Sequence, residues 1–185
     1  STAFAGVDTW EFDPTHSSVT WSVSHLVVSK TKGTFKKADG KLMWNGKDAE
    51  GASVEFTFDV NSIDSDNEKR DGHLKAEDFF DAEKYPTMTF KSTKVEKSDK
   101  GYKVTGDLTI KDVTKSVTID FEARGPVSTP MGFKAAGFSG TLTIDRTDFN
   151  IQWSKTLDGG GLMVGNEVTI DIEVEMHLPD PKPAK

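Results

Sequence analysis

Apolar side chains fall on every second position along most of this chain. Trp10 and Phe12 share one face, and Val19, Trp21, Val23 and His25 share the face of a second run. Val54, Phe56, Phe58 and Val60 repeat the pattern, as do Tyr102, Val104, Leu108 and Ile110. Val117, Ile119, Phe121 and Ala123 follow, and the final run places Val168, Ile170, Ile172, Val174 and Met176 on one side. Lys, Glu, Asp, Ser and Thr fill the positions between. Period-two alternation means strands with one dry face and one wet face. It predicts strands near 8–13, 18–28, 33–44, 52–61, 87–96, 101–111, 115–125, 135–148 and 166–178. The first two are separated by Asp13-Pro14, a pair suited to a turn because Pro14 fixes its φ and Asp13 can bond the backbone ahead. Short strands with turn signals between them, and no alternation with helices, predict an all-β antiparallel barrel or sandwich.

The segment 62–86 breaks the rhythm. It is polar and helix-tolerant, and Pro86 stops it. After Ile63, its large apolar residues before Tyr85 are Leu74, Phe79 and Phe80. It predicts a short helical insertion over one end of the barrel, where the two phenylalanines act as a lid, a plug or both.

The chain has 185 residues, enough for one domain with a sizeable core, expected over 8–178 with tails at 1–7 and 179–185. The tail Leu178-Pro-Asp-Pro-Lys-Pro183 is expected to lie outside the sheet. Net charge is −7, which argues against nucleic acid as a partner. Five lysines between Lys30 and Lys41 run against that balance. They read either as the wet face of a hairpin or as a basic rim around an anionic head group. Cysteine is absent, so disulfides and thiol chemistry are excluded. No apolar run is long enough to span a membrane. Ala3-x-Ala5 resembles the small-residue end of a cleaved signal peptide, and a cloning remnant would look similar.

The candidate chemistry is sparse. His16, His25, His73 and His177 are scattered, and no zinc motif is present. His25 is expected to point inward. Asp64-Ser-Asp66-Asn-Glu68 begins like a calcium loop but has Lys69 at the sixth position and Lys75 at the twelfth. Asp158-Gly-Gly-Gly161 precedes a strand rather than opening a helix, so it reads as a loop and not as a phosphate cradle. No nucleophile elbow occurs. The expectation is a protein with no metal and no catalysis. An eight-strand barrel is either filled by its own side chains or hollow enough for one slender ligand, and alternation does not decide which.

An ordered set of motifs bears on that choice. Asp13-Pro-Thr-His16-Ser17 leads to Trp21-Ser-Val-Ser-His25-Leu26 and then to Gly33-Thr-Phe35. Arg70-Asp71-Gly-His73-Leu74 and Asp78-Phe79-Phe80-Asp81 run into Tyr85-Pro86. Gly106-Asp107-Leu108, Val113-Thr114-Lys115, Arg146-Thr-Asp148-Phe149 and Val164-Gly165 complete the series. From Trp10 to about Leu178 the chain resembles the YceI family, bacterial polyisoprenoid-binding proteins with a lipocalin-like barrel. It departs from that pattern at Ala38, where the family carries a bulky residue, and at Ser116, where it carries Pro. Asp112 and Asn150 stand where the family carries Gly, and both tolerate left-handed backbone.

The resemblance implies a lipocalin-like barrel of about eight strands. It implies binding of an amphiphile: an isoprenoid quinone, a polyprenyl phosphate or a fatty-acid derivative, for transport, storage or sensing. A bound isoprenoid lipid or quinone, with no covalent cofactor, is therefore expected. Inward candidates for the apolar lining are Trp21 and Val23, Phe35, then Phe56 and Phe58. Phe79 and Phe80 come from the insertion, with Phe90, Leu108, Ile110, Phe121, Phe138, Leu142, Phe149 and Trp153 from the rest of the chain. His25, Arg70 and His73 are the head-group candidates. Ala38 is expected to widen the pocket or its rim. The cavity is expected at the upper end of the roughly 300–1,000 Å³ range of small-molecule pockets. The resemblance further implies a periplasmic location, and a homodimer and transient membrane contact are compatible with it. A filled structural barrel, or an enzyme acting on such a lipid, are the alternatives.

Overall fold

The computed structural model describes residues 6–181. The signal-like Ala3-x-Ala5 and the last four residues lie outside the described residues. The alternating runs form ten antiparallel strands: β1 (Asp8–His25), β2 (Ser29–Phe35), β3 (Ala38–Trp44), β4 (Ser53–Asp59), β5 (Ile63–Asp64), β6 (Thr87–Lys97), β7 (Gly101–Ile110), β8 (Val113–Ser128), β9 (Phe133–Asp145) and β10 (Val164–Pro179). Eight of them close a barrel in the order β1-β10-β9-β8-β7-β6-β4-β3-β1. β2 continues the line of β3 towards one end, pairs with the second half of β1, and carries the two-residue β5 on its other edge.

The first expected turn is not a turn. β1 is a single strand through Asp13-Pro14, irregular between Asp13 and Ser18. Asp13 does bond ahead, accepting from the Thr15 amide at 2.9 Å. The chain does not reverse there, because β10 accompanies both halves of β1, from Glu11 opposite His177 to His25 opposite Val164. Ser17 Oγ bridges the irregularity by accepting from the Glu175 amide at 2.8 Å. The expected nine strands therefore merge at one place and split at another, where Lys36 and Lys37 divide the run 33–44 into β2 and β3. The expected tail is also shorter than read. Leu178 and Pro179 pair with Lys134 and Phe133, the proline lying at the last strand position, where a missing amide costs least.

The two ends of the barrel differ. At one end Trp10, Trp44, Phe90, Tyr102, Ile119 and Met176 form a buried cluster. Its polar tips are bonded: Trp10 Nε1 donates to Trp44 O, Trp44 Nε1 to Asp48 O, and the Tyr102 hydroxyl to Lys47 O. This end is a closed floor. The other end carries the β1–β2 hairpin, the insertion after β4 and the long β9–β10 connection. The insertion holds α1 (Glu68–Lys75), started by Asn67, whose side chain accepts from the Arg70 amide. α1 buries none of its own residues. The insertion is anchored by Phe79 and Ala82, which join Val60, Met88, Ile110, Phe149 and Ile151 in a second buried cluster. Left-handed backbone occurs at Asn150, as its residue type allows, but in the β7–β8 turn it falls on Lys111 and not on Asp112.

On the outer wall, the β1 irregularity gathers Asp13, His16, Glu175 and His177. His16 Nδ1 donates to Asp13 Oδ2 at 2.6 Å, and His177 Nε2 to Glu175 Oε1 at 2.7 Å. Burial pushes the Asp13 carboxyl up, but His16 and the Thr15 amide outweigh it, so its pKa lies below the ordinary value. The Asp13 hydrogen bond raises His16 above the ordinary 6.5. The carboxylate contribution is present above pH 3.8 and fades as pH falls through the lowered value. The imidazolium contribution is present below pH 6.5 and fades as pH rises through the raised value. The stabilisation by this pair is therefore expected to be greatest between pH 3.8 and 6.5. Urea midpoints of the wild type and His16→Gln should differ most in that window and converge in alkali. A constant difference across pH would contradict it.

Candidate functional site

The barrel is hollow. Between its floor and the insertion lies a cavity of about 390 Å³. Its wall is almost wholly carbon, and residues from all eight barrel strands contribute. Trp44 and Tyr102 form the floor, Ile170 and Ile172 of β10 part of the wall, and His25, Arg70, His73 and Met163 the far rim.

Three glycines explain why so many aromatic residues leave a hollow. Gly33 stands directly opposite Trp21, and Gly40 opposite Phe56. A Cβ at either would overlap the facing ring, and one at Gly106 would meet Phe90 Cζ at 2.5 Å. Each ring lies along the wall in the space a side chain would have taken. Aromatic area is thus buried against backbone rather than across the bore.

Of the expected lining, Trp21, Val23, Phe35, Phe56, Phe58, Phe79, Phe80, Phe90, Leu108, Ile110, Phe121, Phe138, Leu142 and Trp153 border the cavity. Phe149 does not. It is 2 % exposed and packs in the cluster beneath the insertion, at the end of the 3₁₀ turn Arg146–Phe149 that follows β9. Ala38 stands opposite Phe58, on the same face of the sheet, and is not itself among the residues that border the cavity. The volume is near the lower end of the usual range rather than the upper, since the floor cluster fills one end of the barrel.

His25, Arg70 and His73 all reach the rim, but two of them are engaged. Arg70 donates to Ser65 Oγ at 2.7 Å and to Ser65 O at 2.6 Å. His73 Nε2 lies 3.0 Å from Asp78 Oδ2. The His73 ring meets Phe79 and Trp153 edge-on, with centroids 4.9 and 5.0 Å away. This aromatic seam joins the insertion to the β9–β10 connection. Phe80 instead meets Phe35 edge-on at 5.7 Å, against the cavity. Phe79 is thus a plug and Phe80 a half-buried cover.

Two polar features of the cavity go beyond the expected roles: Arg146 was not among the expected site residues, and Trp21 was expected only as apolar lining. Arg146 is 4 % exposed and borders the cavity. Its guanidinium donates to Gly165 O at 2.7 Å, Ile151 O at 2.8 Å and Val164 O at 3.2 Å, tying the β9–β10 connection together. Burial lowers its pKa, and the neighbouring Asp145 opposes that. The second is Trp21 Nε1, which among the described residues is the buried side-chain polar atom without a hydrogen-bond partner. A buried donor left unpaired costs about 1–3 kcal/mol.

A closed antiparallel barrel with a carbon-walled cavity at the insertion end defines a class of hollow β-barrels. The YceI-like domain model matches residues 10–176, and the chain belongs to that family. A UPF0312 protein of Staphylococcus epidermidis is 36 % identical over 170 residues, which is 91 % of this chain and 97 % of that protein. Burkholderia cenocepacia BcnA superposes with a TM-score of 0.76 at 29 % identity, over 89 % of this chain and 98 % of that one. A polyisoprenoid-binding domain from Saccharophagus degradans, implicated in plant cell wall breakdown, shares the fold. Its TM-score is 0.65 at 14 % identity, over 92 % of this chain and 98 % of that one.

Proposed function

We propose that this protein holds the tail of a long-chain amphiphile, an isoprenoid quinone or polyprenyl lipid, inside the barrel. The observation that carries the reading is the cavity itself, about 390 Å³ with a nearly all-carbon wall. Each methylene brought out of water contributes roughly 0.8 kcal/mol. Ten of them therefore supply about 8 kcal/mol, a micromolar affinity before the costs of ordering the chain, with no reactive group needed. The name of the Saccharophagus degradans relative points to the same ligand class. Carrying, storing and sensing all begin with this step.

Native mass spectrometry of protein purified without detergent from its own host tests the reading. The expected result is a discrete added mass that organic extraction releases as an isoprenoid lipid. Bare protein, together with no quenching of tryptophan fluorescence on titration with an isoprenoid quinone, would favour a barrel without a ligand.

A further inference from the structure

Six large apolar side chains are well exposed among the described residues, and four of them sit together: Leu26, Val27, Val28 and Leu162. Leu26 to Val28 form the tip of the β1–β2 hairpin, with Val27 66 % and Val28 84 % exposed. Leu162 lies on the β9–β10 connection. The two loops are joined, since the Leu26 amide donates to Met163 O at 2.9 Å. A methyl on Gly161 would stand 3.1 Å from Val27 Cγ2. The flanking residues His25 and Met163 both border the cavity, so the patch continues its rim.

The backbone of this tip is at odds with its residues. Leu26 and Val27 have φ of 52° and 64°, and the Val28 amide donates to His25 O at 3.2 Å. Two consecutive left-handed residues are the pattern of a type I′ hairpin turn, which favours Asn-Gly. A β-branched residue there is strained. Neither solvation nor turn geometry accounts for Leu-Val-Val at this place, so the tip is suited to something outside the chain. Backbone strain concentrates at such sites.

We infer that the Leu26–Val28 tip and Leu162 dock on the surface of an anionic lipid bilayer and set the cavity rim against it. The charge beside the tip favours a bilayer. Lys30 and Lys32 follow it on β2, opposite Ser24 and Ser22, and Lys155 stands on the neighbouring connection. All three are exposed, and among the described residues none is in an ion pair. Asp148 and Asp158 are the acidic groups on that connection, with Asp158 on the stretch beside Leu162, and the three lysines outnumber them. A short apolar tip with lysines just behind it matches the layering of a bilayer interface, apolar below and phosphate above. The remaining exposed pair, Val127 and Met131, lies at the floor end, on and just beyond β8. The inference gives the proposed lipid ligand a route to the rim and rests on that reading only for its purpose.

The test is co-sedimentation with vesicles of phosphatidylglycerol and phosphatidylethanolamine that contain no isoprenoid, so it is independent of cavity loading. Wild-type protein should bind, more weakly as salt rises or as phosphatidylcholine replaces the anionic lipid. Leu26→Asn with Val27→Gly and Val28→Thr should reduce binding about tenfold or more. The same variant should melt at or above the wild-type temperature, because it relieves the turn. Lys30→Gln with Lys32→Gln should weaken the preference for anionic lipid, while Met131→Gln at the opposite end should change nothing. Absence of wild-type binding, or equal binding by the tip variant, would overturn the inference. So would a wild-type dimer that the tip variant dissociates, which would assign the patch to a second copy of the chain.

Discussion

Replacing Arg146 by methionine should lower the unfolding free energy by about 3–5 kcal/mol, the largest single-residue effect expected outside the aromatic core. The size follows from what the side chain holds. One guanidinium donates to three backbone carbonyls, Gly165, Ile151 and Val164, that come together as β9 gives way to the connection and the connection to β10. Methionine fills a similar volume but takes the guanidinium from all three carbonyls, of which Val164 O keeps the Ser154 hydroxyl at 3.2 Å. Lysine should rescue little, since one ammonium cannot replace a planar fork aimed at three acceptors. For a domain of this size, the loss corresponds to a fall in Tm of about 6–20 °C. Thermal denaturation of both variants reads it directly. A fall of less than about 2 °C would show that the connection is held by other contacts.

Leu142→Trp should abolish ligand uptake while leaving the barrel folded. Leu142 lies on β9 opposite Ile170, with its side chain on the cavity wall. An indole there has empty space to enter, so the overpacking penalty of about 1–3 kcal/mol in a filled core should be largely avoided. It would occupy the length of roughly four or five ligand methylenes. At about 0.8 kcal/mol each, affinity for an isoprenoid quinone should fall by roughly 100-fold or more. Quinone quenching of tryptophan fluorescence, with far-ultraviolet circular dichroism as the check on folding, separates the outcomes. Undiminished binding by a folded variant would place the ligand outside this cavity.

The barrel and its insertion were legible because period-two alternation is a property of local sequence, and 62–86 interrupts it. The departures have physical causes. Asp13-Pro14 carries turn chemistry and makes the local bond expected of it, yet β10 pairs with the strand on both sides and keeps it running. Phe149 stands an odd number of positions after Ile144, off the alternation, and the 3₁₀ turn Arg146–Phe149 carries it into the cluster beneath the insertion and not to the cavity. Arg146 itself was visible within a motif. Nothing in a sequence says that a charged residue after a strand will be buried by the return of a distant loop. Phe79 and Phe80 are adjacent and chemically identical, and only the insertion's path separates the anchored ring from the one on the cavity. The β10 face, Val168 to Met176, was legible as a dry stripe. That it lines a cavity depends on the opposite wall standing back.

The glycines facing Trp21, Phe56 and Phe90 give that standing back a particular origin. The calibre of the tube is set by absent methyl groups, at positions that do not themselves border the cavity. At Gly40, where the atoms nearest an added Cβ all belong to the Phe56 ring, a change to alanine would tip that ring toward the axis and narrow the tube at that level. Relatives could therefore diverge in the girth and length of the chains they accept while every ligand-facing side chain stays the same. Selectivity in such a barrel would then drift through residues that a comparison of contact positions alone would overlook.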